Sequence, residues 1–350
     1  MKLFNCKKFI RIFLFILSFF PVAGESSVNH SFVFVVHEDQ NYQFSDADRD
    51  LTQDIEQVYQ SITRFAKKCH DCEVFIFRIK KVRKNFFGKK KFETELEVYE
   101  RTLLKHQTKY KRSARLELSL IQESEAYRSL SKAGDQHQSD IRRWFFFYGH
   151  QLPETGSRGY SRSFPDAEVS LSRFTDGMES FLPENKSSVF DVTVFSTCHG
   201  GTPYVASKLS AVSDFLIASS EKLHLSHLLP ETLSDLLTQK DLPFSQLLEE
   251  FTLNLFDQHK HLNSMVTLSL YPLSDLKESA DMILDSYSQR LNLYHGTGVT
   301  PFGYQDCDLS YPELLSELSY VSPVTFYKPP RFGRGSHRSS HSGWACPRSL

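Results

Sequence analysis

The residues best suited to chemistry in this 350-residue chain are a thiol and an imidazole. Cys198 closes the run Val189-Phe-Asp-Val-Thr-Val-Phe-Ser-Thr-Cys198, and the β-branched and aromatic stretch from Val189 to Phe195 predicts a buried strand. A cysteine at a strand's carboxyl end faces the crevice where open α/β sheets bind ligands, rather than a core. His150 closes a second strand-like run, Ile141-Arg-Arg-Trp-Phe-Phe-Phe-Tyr-Gly-His150, and precedes Cys198 by 48 residues. Two adjacent parallel strands ending in this way would set an imidazole beside a thiol, a nucleophile with its base. His199 is a competing imidazole. As the immediate neighbour of Cys198 it is expected to point away from the thiol, because consecutive strand side chains face opposite sides.

The elements that must position these two residues read as α/β. Phe32–Val36 is a short apolar strand. Leu51, Ile55, Val58, Ile62 and Phe65 then recur at three and four residues, which marks an amphipathic helix from about Asp46. Cys72–Ile79 is the next strand, and strand, helix, strand implies a parallel sheet with a right-handed crossover. Residues 80–115 interrupt the pattern with Lys80–Phe92 and Lys109–Arg115, both rich in Lys and Arg. They read as a basic insertion around a possible helix: a solvated charged face, a processing loop or a site for an acidic partner. Leu116–Ile121 could add an edge strand, and Glu123–Lys132 a helix. After His150 a Gly/Pro/Ser loop would lie over the crevice, followed by a helix over about Asp166–Phe181. Residues 203–212 look helical, and Asp214–Glu221 looks like a strand that also ends at the crevice. Residues 229–261 are helical, with Pro230 and Pro243 near helix starts. Met265–Tyr271 is another strand, followed by an N-capped helix ending near Leu291. From residue 296 onward Gly and Pro punctuate an extension, and its end, 329–350, is rich in Gly, Ser, Arg and His and reads as a mobile tail.

The N-terminus carries an address. Lys2, Lys7, Lys8 and Arg11 precede a short apolar run to Phe20 and then Pro-Val-Ala-Gly, the pattern of a secretory signal peptide spanning residues 1–24. The run is short of the ~20 apolar residues that span a bilayer, so no stable membrane insertion is expected once the leader is cut. Its removal leaves 37 basic against 42 acidic residues, a net charge of −5, which does not point to nucleic acid as a partner. Five cysteines remain in the exported chain, an odd number, so at least one thiol is free or bridges to another molecule. Cys69 could pair with Cys72 and Cys307 with Cys346, leaving Cys198 free; all five could equally stay reduced.

The order of these pieces resembles the clostripain-like cysteine peptidases, relatives of the caspase and gingipain group. The matching stretches are Asp39-Gln-Asn41, Tyr148-Gly-His150, Phe190-Asp-Val-Thr-Val-Phe-Ser-Thr-Cys198, Ala218-Ser-Ser-Glu221 and Thr267-Leu-Ser-Leu-Tyr-Pro-Leu-Ser-Asp-Leu276. The resemblance covers roughly residues 32–290. It implies a caspase-like α/β domain over 25–295, its mostly parallel sheet flanked by helices on both faces. It also implies a cysteine endopeptidase acting on peptide or protein substrates without cofactor or metal. Cys198 would be the nucleophile and His150 the general base and acid. Backbone N–H groups of Cys198 and Gln151 would form the oxyanion hole. Ser196 and Glu221 would line the pocket for the substrate side chain. The chain departs from the family pattern at Gln151, where the family has glycine, and at Ser196, where it has an acidic residue that binds a basic P1 side chain. Lys89–Lys91 is a candidate activation cut.

Other chemistries find no foothold. Gly-x-Ser-x-Gly, the P-loop pattern and His-Glu-x-x-His are absent from the sequence. His337, His341 and Cys346 match no closed metal site. The rival reading is an exported homologue that keeps the fold but binds a peptide or protein without cutting it, with Gln151 and Ser196 as its evidence. Oligomeric state is not legible in the sequence.

Overall fold

The computed structural model of the chain describes residues 29–39, 55–86, 89–101, 110–113, 118–131, 141–154, 160, 169–183, 189–223, 228–259, 265–295, 304–310, 312, 324–328, 336–338 and 343–347. The expected leader, 1–24, lies outside these residues.

In chain order the elements are β1 (His30–His37), α1 (Ile55–Lys68), β2 (Cys72–Phe86), β3 (Lys89–Arg101), β4 (Tyr110–Ser113), α2 (Ile121–Leu130), β5 (Arg142–Tyr148) and α3 (Leu171–Glu179). There follow β6 (Phe190–Ser196), α4 (Pro203–Leu209), β7 (Ser213–Ala218), α5 (Glu231–Leu236), α6 (Phe244–Asp257), β8 (Val266–Pro272) and α7 (Leu273–His295). The chain closes with β9 (Tyr304–Asp306), a helical turn α8 (Cys307–Ser310), β10 (Val324–Lys328), β11 (Ser336–Arg338) and β12 (Ala345–Pro347).

Ten strands form one sheet in the order β11-β10-β8-β7-β6-β5-β1-β2-β3-β4, and β9 and β12 pair separately. The five central strands are parallel, with antiparallel strands added at both edges. Their side chains explain why. In β1, Phe32, Phe34 and Val36 enter one apolar cluster while Val33 and Val35 enter the other. In β5, Trp144, Phe146 and Tyr148 divide from Phe145 and Phe147 in the same way. A strand apolar on both faces must be covered on both, which is the position of a central parallel strand under crossover helices. Helices α1, α5 and α6 bury Val58, Leu233 and Phe251 on the first face; α2, α3, α4 and α7 bury Tyr127, Phe174, Leu209 and Leu276 on the second. Truncating one such aromatic, as in Phe146→Ala, removes contacts worth about 3–5 kcal/mol. The caspase-like α/β architecture with helices on both faces is thus present.

Three local expectations change. Residues 80–115 hold no helix among the described residues: β2 runs on to Phe86 and β3 and β4 extend the sheet edge. The reason lies in alternating charge. Glu93, Glu95 and Glu97 recur every second residue on β3, and Glu95 and Glu97 pair in register with Lys80 and Arg78 of β2. Lys80 Nζ reaches Glu97 Oε1 at 2.9 Å. Residues 118–120 form a bend rather than an edge strand, with Leu120 at φ 63° leading into α2. The expected N-cap is not Ser274, the serine of the stretch Pro272–Lys277, because α7 already begins at Leu273 and the Ser274 hydroxyl donates to Asp275.

The extension is not simply a mobile tail. Strand β10 pairs with β8 and β11 with β10, while β12 pairs with β9. Cys307 and Cys346 form a disulfide, Cys69 and Cys72 form another, and Cys198 is the free cysteine among the described residues. Trp344 is buried, its ring stacked on Tyr271. Among the described residues no helix is long and apolar enough to cross a membrane.

Candidate active site

The chain leaves β1 in one direction, to β2, and later fills β5, β6 and β7 on the other side, so the order reverses between β1 and β5. At such a switch point the carboxyl ends of the strands open a crevice. Asp39, His150, Cys198 and Glu221 all follow these ends, after β1, β5, β6 and β7 respectively. Tyr148 and Ser196 are register partners on adjacent parallel strands. His150 and Cys198 each lie two residues beyond, so the topology starts the loops that carry them from the same level of neighbouring strands.

The imidazole is firmly oriented. His150 Nε2 lies 2.9 Å from Asp39 Oδ2, and Asp39 is buried. A carboxylate there can only accept, so the proton of this contact sits on Nε2. The loop bearing Asp39 is itself held: Glu38 N donates to the Ile79 carbonyl at 2.9 Å, and Arg78 Nε donates to Glu38 Oε2 at 2.8 Å. Arg78 also reaches Glu56 at 3.0 Å. Beneath the imidazole, the Tyr160 hydroxyl meets His37 Nδ1 at 3.1 Å, and its ring sits edge-on to His150. Burial drives the His37 pKa down to about 3, with the His150 charge adding to the effect, so His37 stays neutral.

Glycine is required before the imidazole, not after it. A Cβ on Gly149 would stand 2.5 Å from the Tyr160 hydroxyl. Among the described residues other than glycine, only Leu120 and His199 have positive φ, so Gln151 occupies backbone open to any side chain. The Gln151 side chain donates to the Tyr304 hydroxyl at 2.8 Å.

The thiol is held differently. Cys198 Sγ donates to the Leu223 carbonyl at 3.0 Å. Burial pushes its pKa up, with the Lys222 ammonium opposing. A thiol that donates to a carbonyl in this way holds its proton. His199 is turned elsewhere: its Nδ1 donates to the Ser220 carbonyl at 2.8 Å and its ring stacks on Tyr304. The turn that achieves this is left-handed, φ 49° at His199, rather than strand alternation. Burial lowers the His199 pKa and keeps it neutral.

Of the residues expected to line a substrate pocket, Ser196 is completely buried at the end of β6. Glu221 is half-buried, and its carbonyl accepts from His199 N at 3.0 Å and from the Ser219 hydroxyl at 3.2 Å. The fold therefore brings the Glu221 turn to His199, the residue after Cys198, while Ser196 is buried at the end of β6. Sequence reasoning noticed Asp39 only as part of a loop motif and assigned it no role; a carboxylate directly after a fully apolar strand was the available signal. Leu223, Tyr160 and Tyr304 were missed because their contacts depend on pairing distant segments. No group of three or more His, Cys, Asp or Glu side chains is arranged for a metal among the described residues.

No protein-family model and no curated protein matches the chain. Solved structures do. A secreted C11 cysteine protease from Bacteroides thetaiotaomicron, in complex with an irreversible peptide inhibitor, superposes with a TM-score of 0.52 at 10% identity, covering 91% of this chain and 92% of that one. An inactive zymogen C11 protease from Parabacteroides distasonis superposes with a TM-score of 0.50 at 12% identity, covering 91% of each chain. At these identities the likeness is one of architecture. The chain has the fold of the C11, or clostripain-like, cysteine proteases.

Proposed function

We propose that the chain is an exported cysteine endopeptidase that cuts peptide bonds through an acyl-enzyme, with Cys198 as nucleophile, His150 as base and acid, and Asp39 as the group that orients His150. The observation that carries the reading is the Asp39-to-His150 hydrogen bond after β1 and β5, with a free cysteine after the neighbouring strand β6. The fold shared with C11 cysteine proteases supports it.

In this reaction Nδ1 of His150 takes the Cys198 proton while Asp39 holds Nε2–H and stabilises the imidazolium. The thiolate attacks the scissile carbonyl carbon. Backbone N–H groups of Cys198 and Gln151 receive the developing oxyanion, where one well-placed donor contributes about 3 kcal/mol. His150 returns its proton to the leaving amine, and a thioester remains on Cys198. His150 then deprotonates a water, which cleaves the thioester and restores the thiol. Glu221 suits a basic P1 side chain, and Ser196 supplies no charge to it. The basic leader and the secreted relative support export.

One observation favours a second reading, a homologue that binds peptides without cutting them: the Cys198 thiol rests on a carbonyl with its pKa raised. The inactive zymogen among the similar structures suggests instead a resting state that is opened by a cut. Lys89–Lys91, just after the turn of the β2–β3 hairpin, is the proposed place. Wild type and Cys198→Ala should be compared on a peptide library varied at P1, with the intact mass of each protein followed in parallel. The peptidase reading expects cleavage and hairpin clipping by wild type alone. If neither protein cleaves, even after limited proteolysis of the hairpin, the binding reading replaces it.

A further inference from the structure

The C-terminal extension contributes a side chain that touches the flanks of both reacting residues. Tyr304 accepts a hydrogen bond from Gln151 Nε2, next to His150, and stacks on His199, next to Cys198, with ring centroids 4.6 Å apart. It thus bridges the loop after β5 and the loop after β6. Its own strand is strapped down. Tyr304 pairs with Pro347, Gln305 with Cys346 and Asp306 with Ala345, and the Cys307–Cys346 disulfide closes the end of this ladder. Cys307 N donates to the Trp344 carbonyl at 3.0 Å, and Ala345 N donates to the Gly201 carbonyl at 2.8 Å. The second contact ties β12 directly to the loop that follows Cys198. Gly201 has no room for a side chain, since a Cβ there would meet the Tyr271 hydroxyl at 2.4 Å, and that hydroxyl in turn donates to the Gly343 carbonyl.

We infer that Tyr304 is a positioning residue that locks the His150 and Cys198 loops in mutual register, and that the Cys307–Cys346 disulfide acts on the site through it. The physical need is plain. Imidazole and thiol come from two separate loops, and a misplacement of about 1 Å between reacting groups costs roughly 10²-fold in rate. The sheet fixes the loops at their roots, in the Tyr148–Ser196 pair, and Tyr304 fixes them beyond it. A tyrosine serves both contacts at once, with its ring for His199 and its hydroxyl for Gln151.

The inference uses the peptidase reading for its catalytic readout, so the test carries a second readout that needs no peptidase. Mature wild type, Tyr304→Phe, Tyr304→Ala, Cys307→Ser with Cys346→Ser, and the triple variant are compared in two ways. The first is the pH profile of Cys198 alkylation by iodoacetamide, followed by peptide mass; the second is kcat and KM on the best library peptide. Tyr304→Ala is expected to flatten the neutral-pH limb of the alkylation profile and to lower kcat roughly 10²-fold with KM within about twofold. Tyr304→Phe, which keeps the stack and loses one hydrogen bond, should retain most of both. The double serine variant should resemble Tyr304→Ala, and the triple variant should lose little more, because two changes acting through one contact are not additive. An alkylation profile in Tyr304→Ala that matches wild type, or losses that add in the triple variant, overturns the inference. Should Tyr304→Ala not fold, Tyr304→Phe and the serine pair decide the matter by the same profile. Should wild type cleave nothing, the peptidase reading fails while the alkylation profiles still judge Tyr304.

Discussion

The two halves of the site are prepared to different degrees. On the β1/β5 side the imidazole sits in a finished environment: Asp39 on Nε2, Glu38 and Arg78 fastening the Asp39 loop, Tyr160 packed beneath. On the β6/β7 side the thiol donates a hydrogen bond to the Leu223 carbonyl, and burial raises its pKa. In the proposed reaction the base is thus already oriented while the thiol still keeps its proton. The difference teaches where control would be exercised. Rebuilding the His150 side would mean disturbing the sheet core, whereas releasing Cys198 requires only that the short turn after β7 withdraw.

The largest break in that contrast comes from Asp39→Asn. An amide at this position presents an N–H to His150 Nε2, forces the opposite tautomer and leaves Nδ1 protonated, unable to take the thiol's proton. In serine proteases the equivalent exchange costs about 10⁴-fold, and a loss of roughly 10²- to 10⁴-fold in kcat is expected here, with KM little changed. Steady-state kinetics of the purified variant check it. A loss under about threefold would mean that Asp39 merely packs against the imidazole, and the finished half of the site would not be finished after all.

How much of this was legible in the sequence follows from the range of each signal. Apolar runs such as Phe32–Val36, Trp144–Tyr148 and Phe190–Phe195 are local and dense and reveal the parallel core, and His150 and Cys198 follow the ends of two of them. The hairpin was misread because its strands carry Lys and Glu where an ordinary strand carries valine, so charge masked a period of two that Glu93, Glu95 and Glu97 still display. Beyond residue 296 the strands are three to five residues long and hold through partners far away in sequence. The Gln151–Tyr304 hydrogen bond spans 153 residues, and no periodicity announces such a contact. Asp39 lay between these extremes: a carboxylate at the exit of a buried strand was visible, and its partner 111 residues away was not.

Loosening the Leu223 contact is expected to have a smaller effect, of opposite sign. Leu223 is buried in the apolar cluster on one face of the sheet, an anchor for the residue whose carbonyl accepts from the thiol. Leu223→Ala removes that anchor. A hydrogen bond of this kind is worth about 1 kcal/mol net, so its loss should speed Cys198 alkylation at neutral pH about fivefold. Mass-resolved alkylation rates measure it. An unchanged or slower rate would show that the Leu223 contact is incidental, and that burial alone keeps the thiol quiet.

Lys222 offers the finest probe of the same half. Its ammonium is exposed and opposes the burial that raises the Cys198 pKa. Because thiolate is the reacting form, alkylation accelerates as pH rises through the thiol's pKa. Lys222→Ala removes the opposing charge, so the midpoint of that rise should move to higher pH and the neutral-pH rate should fall slightly. An exposed charge is screened by salt, with a Debye length of about 10 Å at 0.1 M and 3 Å at 1 M, so wild type and variant should converge in 1 M salt. The β1/β5 half supplies the internal control: the imidazole's contribution comes through the buried Asp39 pair, which salt screens far less, and the rest of the profile should stay put. A salt-independent difference between the two proteins would instead mean that Lys222 shapes the turn after β7, holding Leu223 in place by geometry rather than tuning the thiol by charge.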